Sequence, residues 1–176
     1  MTWKSFRSRE EVLHDVIAAA NDRRDGRLPM DVDGVAEVFE DELALLGALQ
    51  LRWHTRLSGR IERELMSPPT DPEDAVVAAW RATADELPGV LAIVDRHRAE
   101  PADGAMAGAM ATSSAKEQIL LAMMAGRASA PDASAVRVGA AIEGRARASY
   151  RPGATHACHR AGRQRLLRRL RTALAA

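Results

Sequence analysis

Cysteine is nearly absent from this 176-residue chain: Cys158 stands alone, which rules out an intrachain disulfide framework and fits a reducing compartment. Aromatic residues number only six and β-branched residues are sparse, so there is little material for a sheet. No run of about 18 apolar residues occurs, so no membrane-spanning helix is expected. The most apolar zone, Gly104 to Gly126, is broken by Thr112, Ser113, Ser114, Lys116, Glu117 and Gln118. The opening MTWKSFRSREE lacks the apolar core of a secretory signal, and a cytoplasmic location is the expectation. Nucleotide-loop, dinucleotide-glycine and H-E-x-x-H signatures are all missing, so no cofactor is expected.

Acids are missing from one end. Residues 1–143 hold all 24 Asp and Glu against 16 Lys and Arg, a balance of −8. Residues 144–176 hold 9 arginines and no acid, a balance of +9, so the net charge of +1 conceals a division. Such a tail either folds back on its own acidic body or is offered to an anionic partner.

What the chain has in abundance is alanine, 35 residues of it, the strongest helix former and small enough to let helix axes approach closely. Composition predicts an all-α protein. Ser8 and Glu11 form an S-x-x-E capping box ahead of a helix over 9–24. Val35, Phe39, Leu43, Leu46, Leu49, Trp53, Leu57, Ile61 and Leu65 then recur every three or four positions, predicting one long amphipathic helix over about 31–66. Its acids crowd the first half and its bases the second, as the helix dipole favours. Ser67-Pro68-Pro69 should stop it, and Asp71-Pro72-Glu73-Asp74 should start the next helix. Pro88-Gly89 should kink or split that element. Further helices are predicted over 103–127, from Pro131-Asp132 to about Ser149, and from His156 to Leu174. The expected architecture is a bundle of five to six helices around the long one. Residues 1–150 would form the acidic bundle and 151–176 an Arg-rich C-terminal helix packed on the same domain.

Few constellations carry chemistry. Glu11 and His14 make one E-x-x-H pair, half of a di-metal carboxylate pattern, and no second pair follows. His156, Cys158 and His159 place three ligand types within four residues without a fourth partner for zinc. His54 borders the apolar stripe of the long helix, where a hydrogen-bonded boundary histidine is the plain reading. Arg160, Arg163, Arg165, Arg168, Arg169 and Arg171 form a basic face suited to phosphates or other anions, with salt dependence and little sequence specificity. No catalytic motif is complete. The expected function is therefore non-catalytic, through contact with a protein partner or a second copy. A nucleic-acid-associated protein using the C-terminal helix is the first alternative, and a metal-binding bundle enzyme the second.

Overall fold

The computed structural model of the protein describes residues 8–66 and 71–152. Seven helices occur among these residues and no strand: α1 (Arg9–Arg23), α2 (Val35–Val38), α3 (Glu42–Met66), α4 (Pro72–Glu86), α5 (Pro88–Ala99), α6 (Gly104–Met124) and α7 (Ala133–Ser149). The chain is an all-α helical bundle.

The helix starts follow local chemistry. Ser8 Oγ accepts the Glu11 N–H and the Glu11 carboxylate accepts the Ser8 N–H, closing the capping box in front of α1. Asp71, Asp103 and Asp132 cap α4, α6 and α7 by accepting backbone N–H groups in the first turn. Pro72 and Pro88 sit in first turns, where their missing N–H costs nothing. Pro88 therefore splits the element at 72–99 into two helices rather than kinking one.

The expected long helix is shorter than its periodicity suggested. Over 31–41 only α2 is helical, and α3 starts at Glu42. Two local conformations break the run: Gly34 takes the left-handed region at φ +86°, and Phe39 is extended. Asp41 then caps the new helix by accepting the Ala44 N–H. Val35 and Phe39 still reach the core, Val35 from the first position of the four-residue α2 and Phe39 from the extended residue that closes it, instead of from one continuous helical face. The acids of 31–41 therefore do not lie along the α3 dipole.

A single apolar core joins α1 through α7. From α3 it takes Leu45, Leu46, Leu49, Trp53, Leu57 and Ile61, and from α4 Val76, Ala79, Trp80 and Ala84. Helix α3 touches α1, α4, α5 and α6, while α4 touches α3, α5, α6 and α7. Helices α5 and α6 likewise touch four others each, so the centre of the bundle is shared among α3, α4, α5 and α6. Close approach comes from glycine: a Cβ on Gly139 of α7 would lie 1.8 Å from the Gln118 carbonyl oxygen of α6.

Candidate functional site

Helix α6 buries Met106, Met110, Leu121 and, on the same row, Glu117. Glu117 is only 4% exposed, so the fold places a carboxylate in its core. Trp53 Nε1 donates to Glu117 Oε2 at 3.1 Å, and Trp80 Nε1 donates to Oε1 at 3.2 Å. His54 Nε2 lies 3.4 Å from Oε2. Three helices thus meet on one side chain: α3 supplies Trp53 and His54, α4 supplies Trp80, and α6 supplies the acceptor. Bulky indoles can be buried here because each N–H finds a partner. Beside this nest opens a cavity of about 530 Å³ that reaches Ser58, Glu62, Lys116 and Leu120.

A second buried carboxylate is answered differently. Glu143 of α7 accepts from Arg98 at 2.8 Å, Arg147 at 2.9 Å and Gln118 at 3.2 Å. Burial pushes its carboxyl up, but the Arg98 and Arg147 guanidiniums with the Gln118 amide outweigh it and hold the group below its ordinary value. Arg147 also forks onto Asp95 at 2.8 and 2.9 Å and lies 5.0 Å over the Trp80 ring. Burial lowers its pKa and the Asp95 and Glu143 carboxylates raise it, with a net rise. Tyr150 stacks edge-on against Trp80 and donates to Asp85 at 3.2 Å. Burial first, then the Asp85 charge, pushes its hydroxyl up to about 12.

An open groove of about 880 Å³ runs between α1 and α3. Ala44, Gly47, Ala48, Leu51, Thr55 and Gly59 of α3 face it, and Leu51 is 68% exposed. Arg9, Arg52, Arg56 and Arg63 edge it against a single acid, Glu10. Arg52 pairs with Glu10, and Arg56 lies 3.4 Å from Glu86. Arg63 has no carboxylate partner among the described residues. Thr55 and Gly59 border both the groove and the cavity beside His54, so the two hollows flank one ridge of α3.

No family model, curated protein or solved structure matches this chain.

The residues singled out in the sequence fall in different places. Glu11 and His14 are both exposed on α1, and Glu11 is engaged in the capping box. Among the described residues no group of three His, Cys, Asp or Glu side chains is placed to hold a metal ion. His156, Cys158 and His159, together with Arg160, Arg163, Arg165, Arg168, Arg169 and Arg171, lie outside the described residues, as does the C-terminal helix predicted over them. Three arginines of the basic end are described, and two of them turn back onto the acidic body, while Arg151 donates to the Ala148 and Tyr150 carbonyls. Arg145 meets Glu73 at 2.9 Å and Asp74 at 3.1 Å, and Arg147 meets Asp95 and Glu143. No described helix is long and apolar enough to cross a membrane.

Glu117 and Glu143 escaped the sequence reading. A signal for Glu117 exists: it falls seven residues after Met110 and four before Leu121, on their helical row. Polar neighbours in TSSAKE masked that register.

Proposed function

We propose that the protein is a non-catalytic binding module whose α1–α3 groove seats an amphipathic helix of a partner protein, one that carries acids beside its apolar stripe. The observation that carries this reading is the groove itself, a small-residue face with Leu51 left 68% exposed at its middle. Small residues let a partner helix come close, and an exposed leucine between them offers an anchor. From Ala44 to Arg63 the face spans 20 residues of α3, a length of about 30 Å and enough for a partner helix of five turns.

Charge selects the occupant. The groove has four arginines to one glutamate on a body whose first 143 residues balance to −8. An acidic partner helix is attracted there and steered by the rim. A second copy applying the same face would set arginines against arginines, and the acid-free end of this chain would be repelled likewise.

The test places a photo-crosslinking amino acid at position 51, and at exposed Met123 as control, in cells that make the protein. Adducts specific to position 51 should map to a helical, Asp- or Glu-flanked segment of another protein, and an Arg52→Glu/Arg56→Glu/Arg63→Glu variant should lose them. Adducts identical to those from position 123, or formed only with a second copy or with residues 153–176 of this chain, would sink the reading. The alternative of phosphate binding through residues 160–171 is separated by a mobility-shift titration at two salt concentrations. Salt-sensitive retention of nucleic acid by the full chain, lost on removing 153–176, would favour it.

A further inference from the structure

We propose that the cavity beside His54 binds an organic cation, an alkylammonium or guanidinium group, through the buried carboxylate of Glu117. The inference stands apart from the groove and does not depend on what docks there.

The two buried carboxylates of this fold make an internal comparison. Glu143, 5% exposed, is met by two guanidiniums, Arg98 and Arg147, at 2.8 and 2.9 Å. Glu117, 4% exposed, is met by no lysine or arginine among the described residues. Its donors are two indole N–H groups, which orient the carboxylate but carry no charge, and among the described residues the only basic side chain within ion-pair reach is His54, at 3.4 Å. Taking a carboxylate out of water costs several kcal/mol, a cost that a nearby positive charge offsets. In the Glu143 cluster the fold supplies that charge. Beside Glu117 it supplies an opening instead, a cavity of about 530 Å³ that the Glu117 side chain borders.

The rest of the lining fits an amine better than an anion. Glu62 brings a second carboxylate to the mouth and accepts the Ser58 hydroxyl at 3.3 Å. Leu120 offers apolar surface on which an alkyl chain or the stem of a lysine or arginine can lie. Lys116 is exposed and makes no ion pair with Glu117, so it competes with a ligand only from the rim. An incoming ammonium would exchange water for a desolvated carboxylate held in place by Trp53 and Trp80, an arrangement that needs little reorganisation. The two indoles also make the site self-reporting, because their N–H groups share the oxygen atoms the cation would approach.

The test is an NMR titration of the full chain, ¹⁵N-labelled, with n-butylammonium chloride against sodium chloride at matched ionic strength. The Trp53 and Trp80 Nε1–H resonances should move together and saturate with the amine, and not with sodium. Glu62→Gln should weaken the response several-fold, Lys116→Gln should preserve or tighten it, and Glu117→Gln should abolish it. Because Glu117→Gln alters the acceptor of two buried donors and can unfold the chain, Glu62→Gln, an exposed position, keeps the test decisive. Indole shifts that never saturate, that sodium reproduces, or that persist unchanged in Glu62→Gln overturn the proposal. Saturating shifts confined to backbone amides of the α1–α3 groove overturn it as well.

Discussion

Trp53 and Trp80 pack edge to face, with ring centroids 5.8 Å apart and planes at 73°, and donate their N–H groups to opposite oxygens of the one Glu117 carboxylate. This contact joins α3, α4 and α6 by shape and by hydrogen bonding at once. Trp53→Ala removes a ring that is 2% exposed and should cost about 3–5 kcal/mol in urea unfolding. Trp53→Phe keeps most of the ring and takes away one donor, so its cost should be nearer 1–3 kcal/mol. Equal losses in the two variants would show that the indole N–H contributes nothing separable from packing.

Two glycines should respond oppositely to alanine. A Cβ on Gly139 would sit 1.8 Å from the Gln118 carbonyl oxygen, so α6 and α7 must part to admit it. Gly139→Ala should therefore destabilise by about 1–3 kcal/mol or more. A Cβ on Gly47, in the exposed face of α3, meets nothing within 4 Å. Gly47→Ala should gain roughly 0.5–1 kcal/mol by restricting the unfolded chain. Thermal unfolding of both variants checks the pair.

Tyr150 is the only tyrosine, so its ionisation can be followed by ultraviolet absorbance without assignment. Its absorbance transition should centre at about 12 in the folded protein. A folded value raised above the unfolded one, near 10, means that this hydroxyl's contribution to stability is complete below about pH 10. That contribution is lost as pH rises through about 12. Asp85→Asn should lower the midpoint by removing the charge that the phenolate would face. A midpoint near 10 in the folded wild-type chain would refute the Tyr150–Asp85 contact.

Glu143 predicts the acid limb of the stability profile. Burial opposes its charge, but Arg98, Arg147 and Gln118 hold its folded pKa below the ordinary carboxylate value. Its contribution is therefore present in full above the unfolded pKa and is lost as pH falls through the depressed folded one. Glu143→Gln should flatten the stability profile over that acid range. It should also lower stability at neutral pH, because Arg98 loses its ion-pair partner. An unchanged acid limb in this variant would show that other carboxylates control it.

Much of the fold was legible in local chemistry. The Ser8 capping box, the Asp71-Pro72 start and the break at Pro88 depend on residues within one turn of each other, and each appears where its residues stand. The α3 stripe from Leu46 to Ile61 was legible because a buried face on a long helix repeats often enough to be seen. The run over 31–41 misled because Val35 and Phe39 keep helical spacing while reaching the core from a single helical turn and its extended cap, not from one continuous helix. Spacing alone does not separate those two routes when Gly34 is free to turn left-handed.

Helix content, the acidic body and its basic end, and most helix boundaries were determined by the sequence alone, since propensity, capping and charge are local or additive. Which carboxylates go inside was decided only by tertiary structure. Glu117 and Glu143 look like surface acids in a one-dimensional reading, and burying either is tolerable only where donors from other helices converge on it. Trp53 and Trp80 are 27 positions apart in the chain and Glu117 lies 37 beyond Trp80, so no local pattern announces their meeting. Tertiary structure also decided the direction of Arg145 and Arg147, which belong to the basic end in sequence and to the acidic body in space.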